Sequence, residues 1–81
     1  MKKYETVTID RFNGREVRFP TRRKNIYTAL AAVQKSERSN SINIDVLLID
    51  GIRHEVRFEK RYGYTVAHIM LKGNDVEKVT I

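Results

Sequence analysis

Two dipeptides, Asn13-Gly14 and Asp50-Gly51, constrain the fold of this 81-residue chain more than any other feature. Both dipeptides accept the positive φ angles that a tight β-hairpin turn requires, and both stand between runs of residues that favour strands. The sequence therefore predicts two antiparallel hairpins, one in each half of the chain. In the strand that follows Gly51, apolar and charged residues alternate, which predicts one face directed to a core.

The remaining pattern predicts an α+β fold in a single domain that covers residues 1–81. Predicted strands cover residues 4–12, 15–19, 42–50, 52–59, 64–72 and 76–81. Between the hairpins, apolar residues recur at helical spacing, so a helix is predicted at about residues 22–37 with Thr21 as its N-cap. A polar loop is predicted at residues 36–41, which include Asn40. We therefore expect an antiparallel sheet of five or six strands with one helix packed on one face.

A short string of residues recurs between the two hairpins. Glu16–Phe19 and Glu55–Phe58 have the same sequence, Glu-Val-Arg-Phe. This recurrence leaves open a duplicated ββα unit, in which residues 64–72 would form a second helix. Amphipathic strands resemble one another without any duplication, and the pattern of residues 64–72 favours a strand.

The predicted strand of residues 42–50 is apolar on both faces. Leu47 and Ile49 lie on the face opposite Val46 and Leu48. A strand of this kind is usually covered on both sides, and one helix covers only one side of a small sheet. The remaining face is therefore expected to meet a dimer partner, a ligand, or a second helix if residues 64–72 are helical. Of these we favour a homodimer, with Leu47 and Ile49 at the interface.

The charge of the chain is unevenly distributed. The net charge is +6 and the isoelectric point is about 9.9. The first forty residues hold ten Lys or Arg and four acids, whereas the second half holds six of each. Such clustering indicates an anionic partner, and a surface charged for solubility alone is the alternative.

The densest group of cations surrounds Pro20. Its members are Arg15, Arg18, Arg22, Arg23 and Lys24. The last three lie in the first turn of the predicted helix, where the helix dipole disfavours positive charge. Departures from such local preferences are expected at functional sites, and amides and guanidinium groups together suit a phosphate or a carboxylate.

A second basic group lies in the fourth predicted strand and the turn after it. Arg57, Lys60 and Arg61 precede Tyr62 and Tyr64. Basic residues beside exposed aromatic rings are typical of surfaces that bind single-stranded nucleic acid, because bases stack on the rings while phosphates meet the cations. We expect Tyr62 to join this surface and Tyr64 to pack at the core.

Other classes of function fit the sequence less well. The chain has no cysteine, which excludes disulfides, thiolate zinc sites and cysteine nucleophiles. His54 and His68 could approach across adjacent strands and cleave RNA by acid–base catalysis, as in a small RNase-type toxin. His54, however, alternates with core residues. We therefore expect no catalytic residue, no metal site and no cofactor.

The N-terminal sequence and the lengths of the apolar runs bear on location. A membrane span needs about 18–20 apolar residues, and no segment approaches that length. Met1-Lys2-Lys3 is not followed by the apolar core of a signal peptide. We therefore expect a cytoplasmic protein without membrane contact.

Together these features predict a small, basic, non-enzymatic protein that binds DNA or RNA through a strip of Arg and Lys residues. The strip would combine Arg15, Arg18, Arg22, Arg23, Lys24, Arg57, Lys60 and Arg61, with Tyr62 beside it. An inhibitor or adaptor of the kind that phages and mobile elements use is the alternative. Its basic strip would dock on an acidic or nucleic-acid-binding host protein, with Leu47 and Ile49 anchoring the contact.

Overall fold

The computed structural model describes residues 1–39 and 41–81, which form a six-stranded antiparallel sheet with one helix packed against it. The elements are β1 (Tyr4–Asp10), β2 (Thr21–Arg22), α1 (Ile26–Arg38), β3 (Asn43–Ile49), β4 (Ile52–Arg61), β5 (Tyr64–Leu71) and β6 (Asn74–Thr80). Their order across the sheet is β2-β1-β3-β4-β5-β6. The predicted α+β class and sheet are confirmed.

The second hairpin and the strands after it follow the sequence closely. Asp50 and Gly51 both have positive φ, at 53° and 80°, and they join β3 to β4 as predicted. Residues Tyr64–Leu71 form β5 rather than a helix. The prediction of a strand is therefore confirmed here, and a doubled ββα unit is not what the chain forms.

The first hairpin departs from the prediction. Its turn is longer than two residues, because the Gly14 N–H donates to the Asp10 carbonyl at 2.8 Å and the Asp10 N–H donates to the Arg15 carbonyl. After the turn, Glu16 makes a single bridge to Ile9, and the predicted strand of residues 15–19 does not form. Regular pairing with β1 resumes only at β2.

The helix begins four residues later than predicted. Asn25, not Thr21, is its N-cap, and Asn25 and Thr28 form a reciprocal capping box in which each side chain accepts from the other's backbone N–H. Arg22 belongs to β2, so the prediction that Arg22, Arg23 and Lys24 occupy the first helical turn is wrong. At the other end α1 extends through Arg38.

The helix ends inside the segment that was predicted as a loop. Ser39 is its C-cap, and the Ser39 N–H donates to the Ser36 carbonyl at 3.2 Å. Asn40, which the sequence places in this loop, lies outside the described residues. Within the described part of the chain no helix is long and apolar enough to cross a membrane.

The main core lies between α1 and the sheet. It comprises Ala29, Leu30, Val33, Leu47, Ile49, Ala67, Ile69 and Val79. Leu47 is 0 % exposed and Ile49 is 7 % exposed, because α1 covers their face of β3 rather than the opposite face. The structure therefore contradicts the exposure that the predicted interface role of Leu47 and Ile49 requires.

The opposite face of β1 and β3 holds a second, smaller cluster. Val7, Ile9 and Leu48 are buried there, and Ile44 and Val46 pack against them. On the same face Arg53 of β4 lies beside Leu48, and its Nη1 donates to the Gly14 carbonyl in the first hairpin turn at 3.3 Å. Both faces of β3 are thus largely covered within one copy of the chain.

A histidine flanked by two carboxylates links the last three strands. His68 on β5 is buried, its Nε2 lies 2.9 Å from Glu59 Oε1 on β4, and its Nδ1 lies 3.1 Å from Asp75 Oδ2 on β6. Only the doubly protonated ring donates to both carboxylates. The hydrogen bond from His68, with the positive charges of Arg61, His68 and Arg57, lowers the pKa of the Glu59 carboxyl below its ordinary value.

This link predicts a pH-dependent contribution to stability. A carboxyl whose pKa is lowered by folding stabilises the fold above its unfolded pKa of about 4.3, and the contribution disappears as the pH falls through the lowered value. Glu59→Gln is therefore expected to lower the melting temperature at pH 7 and to have a much smaller effect near pH 3. Glu55→Gln is the control, because Glu55 is an exposed residue on β4 that forms no ion pair with any described residue. An effect of Glu59→Gln that is equal at both pH values would contradict the assignment.

Candidate nucleic-acid interface

The edge of the sheet beside β1 carries a three-residue bulge. The Val17 N–H donates to the Thr8 carbonyl at 2.9 Å, and Thr21 pairs with Thr6. Only Val7 separates Thr8 from Thr6 on β1, whereas Arg18-Phe19-Pro20 separates the two partners on the edge. Proline cannot donate to a ladder, and bulges at sheet edges redirect side chains and are frequent beside functional sites.

The bulge directs an aromatic ring and a guanidinium group away from the sheet. Phe19 is 92 % exposed, and Arg18 beside it is also exposed. In a regular strand at this position, successive side chains would point alternately to the two faces of the sheet. The bulge is therefore the local reason why this phenylalanine lies in solvent.

Beside the bulge lies an open groove of about 400 Å³, bounded by β1, β2 and the end of α1. We call it the edge groove. Hydroxyl groups dominate its lining, contributed by Thr6, Thr8, Thr21, Ser36, Ser39 and Ser41. Arg18, Phe19 and Arg23 line the same groove, so two of the predicted cations converge on it.

Arg23 is held in place at the edge groove. Its backbone N–H donates to the Tyr4 carbonyl at 2.8 Å, and its Nε donates to Thr6 Oγ1 at 2.9 Å. Among the described residues its two terminal nitrogens have neither a hydrogen-bond acceptor nor a carboxylate partner. The guanidinium is therefore oriented by one bond and retains two terminal groups that can bind a ligand.

One acid, Asp45, lies among the described residues that line the groove. Its Oδ1 accepts from Thr8 Oγ1 at 2.7 Å, and its backbone N–H donates to Ser36 Oγ at 2.7 Å. An adjoining depression of about 620 Å³ shares Arg23 and Asp45 and adds Lys35 from α1. Among the described residues, the groove and the depression together hold three cations and one acid, so the local charge is positive.

A second basic surface lies at the end of the β4–β5 hairpin. Arg57 and Arg61 share the outer face of β4 with Glu59, and the Arg61 Nη2 lies 3.0 Å from Glu59 Oε2. Lys60 lies on the other face, where it lines a depression beside the end of α1. Tyr62 is fully exposed in the turn. The structure therefore keeps this group apart from the edge groove.

The other predicted cations of the first half do not reach the groove. Arg22 pairs with Glu5 and so lies on the sheet face opposite Thr6 and Arg23. Lys24 is exposed just before the N-cap of α1, and Arg15 is exposed at the end of the first hairpin turn. The predicted single strip is therefore divided between the two faces of the sheet, and of its members Arg18 and Arg23 line the edge groove.

The two histidines lie apart. His54 is buried and its register partner is Leu47, which faces α1, whereas the register partner of His68 is Arg57 on the outer face of β4. Residues 54 and 57 are an odd number of positions apart and therefore point to opposite faces. The pair of histidines that acid–base cleavage of RNA would require is not brought together.

Sequence reasoning missed the most exposed part of the site. Phe19 was assigned to a strand on its propensity, and the hydroxyl residues of β1 and α1 were not associated with any ligand. Pro20 was the available signal, because a proline inside a strand pattern marks an edge or a bulge. The contributions of Thr6 and Ser36 depend on strand pairing and helix packing, which no local pattern reveals.

Comparisons with protein-family models, curated proteins and solved structures found no match. A function for the chain is therefore inferred from the charges, hydroxyl groups and aromatic rings of its own surface.

The bond between Arg23 and Thr6 gives a direct test of the groove's geometry. Thr6→Val keeps the side-chain volume and removes the acceptor, so the Arg23 side chain should lose its fixed orientation. The Nε–Hε resonance of Arg23 should be dispersed in the parent NMR spectrum and move to the exposed-arginine position in the variant. The Arg22 resonance, on the other face, serves as the control. An unchanged Arg23 resonance would show that Thr6 does not orient the Arg23 side chain.

Proposed function

We propose that this chain is a non-enzymatic nucleic-acid-binding protein that holds backbone phosphates in the edge groove. The observation that carries the proposal is the convergence of Arg18 and Arg23 on a groove lined by hydroxyl groups, beside an exposed phenylalanine. Arginine and hydroxyl donors are the groups that most often contact phosphate and sugar in nucleic-acid complexes.

The donors around Arg23 are arranged in a way that suits a phosphate group. The two terminal nitrogens of Arg23 can donate to two oxygens of one phosphate, because the Nε is already bonded to Thr6. Arg18 in the groove and Lys35 in the adjoining depression add positive charge, and serine and threonine hydroxyls can complete the shell.

The second basic surface would extend the contact for a longer nucleic acid. Arg61 directly precedes the exposed Tyr62 at the hairpin end, and Arg57 lies further along the same face of β4, so a cation and an aromatic ring again lie side by side. In this proposal the edge groove is the primary site and the hairpin end is an auxiliary one.

A salt titration of oligonucleotide binding tests the proposal. Each phosphate contact lowers the slope of log K against log salt by about 0.7 for single strands, so the double variant Arg18→Ala/Arg23→Ala should reduce the slope by roughly 1.4 and weaken binding. The matched control is Arg22→Ala/Lys24→Ala, which removes the same charge outside the groove. Fluorescence anisotropy at several salt concentrations measures both.

Two results would count against the proposal. Binding that is insensitive to salt would exclude phosphate contacts as the source of affinity. An equal loss in the groove variant and in the control variant would mean that general positive charge, rather than the edge groove, attracts the ligand.

A protein-docking role is the second candidate, and one feature favours it. β4 pairs with β3 only from Ile52 to His54, so among the described residues the edge of Glu55–Arg61 on the β3 side has no strand partner. An extended acidic segment of another protein could add to this edge, with Arg57 and Arg61 near its side chains. The role would be that of an inhibitor or adaptor.

The two candidates use different cations, so one set of variants separates them. A protein complex that survives nuclease treatment and is lost in Arg57→Ala/Arg61→Ala, but not in the groove variant, would support docking on β4. Dependence on Arg18 and Arg23 with loss upon nuclease treatment would support nucleic-acid binding.

A further inference from the structure

The exposed ring of Phe19 is placed where a ligand in the edge groove would meet it. The bulge holds the ring in solvent at 92 % exposure, next to Arg18 and within the lining of the groove that Arg23 also enters. A single exposed apolar side chain needs no explanation by itself. The exposure of Phe19 does require an explanation, because the ring lies beside two convergent cations on a segment that departs from the regular strand.

We infer that the edge groove takes a single-stranded nucleic acid, one base of which stacks on Phe19 while the adjoining phosphate is held by Arg18 and Arg23. The inference rests on the proposed function and names its ligand class. In a duplex the faces of each base are covered by its stacked neighbours, so an aromatic side chain must first unstack a base step, whereas an unpaired base stacks on the ring without that cost.

The chemistry of the groove favours a single strand for a second reason. Its hydroxyl groups can donate to phosphate oxygens and can both donate to and accept from ribose hydroxyls along one backbone. An open groove of about 400 Å³ has room for a short segment of one backbone, whereas a duplex with its broad outer surface would contact mainly the rim. The auxiliary surface repeats the same combination, with Arg61 beside the fully exposed Tyr62.

The test compares one 12-nucleotide sequence as a labelled single strand and as a duplex at fixed salt, with Phe19→Ala as the variant. The single strand should bind the parent at least tenfold more tightly than the duplex. Loss of one stacked base should weaken single-strand binding by about 5- to 150-fold. The duplex affinity and the salt slope should stay unchanged, because no phosphate contact is removed.

Phe12→Ala is the matched control. Phe12 is also a highly exposed phenylalanine, at 83 %, but it lies in the first hairpin turn outside the groove. Its replacement should change single-strand affinity by less than twofold. Phe19→Trp should retain binding, and its fluorescence should be quenched on addition of the single strand, since stacking brings a base onto the indole.

The possible failures can be told apart. If the single strand and the duplex bind equally and Phe19→Ala changes neither, the stacking inference is wrong, while the phosphate proposal survives. If neither oligonucleotide binds the parent protein, both the inference and the proposed function are wrong. An unquenched Phe19→Trp variant that still binds the single strand would also overturn the stacking contact.

Discussion

The pairing of β1 with its irregular edge is the constraint on which the surface of this molecule depends. The Val17 and Arg23 amides donate to β1 carbonyls on either side of the bulge, so Arg18-Phe19-Pro20 must loop outward. The same pairing makes Arg22 and Arg23 alternate between opposite faces of the sheet. It also delays the helix, because residues that pair in β2 cannot belong to its first turn.

The core and the candidate site are joined through α1. Leu30 and Val33 of α1 belong to the same core cluster as Leu47 and Ile49 of β3. This packing fixes the position of α1 relative to β1 and β3. Ser36, one turn after Val33, then reaches the Asp45 amide and the groove wall. Changes in this core should therefore affect the groove even though the apolar side chains of the core do not line it.

The sequence was informative where local chemistry decides the structure. Asp50-Gly51 has φ angles that few other dipeptides accept, so it predicts the turn. The alternation of apolar and charged residues along β4 predicts a strand. Other choices depend on distant parts of the chain. Both faces of β3 are apolar, so its pattern could not tell which face α1 covers. Thr21 and Asn25 are both good N-caps, and only the pairing of Arg22 with Glu5 excludes the first. The bulge is set by its register with β1, against the strand propensity of Val17 and Phe19.

The central claim is that the edge groove is the surface that meets an anionic ligand. It is tested most directly by following backbone amide resonances while a short unlabelled single-stranded oligonucleotide is added to the ¹⁵N-labelled protein. The account predicts that the largest shifts fall on residues 18–23 and on the end of α1, with Asn74–Thr80 unaffected. Shifts that are largest on β6, or that are spread evenly over the whole surface, would contradict it.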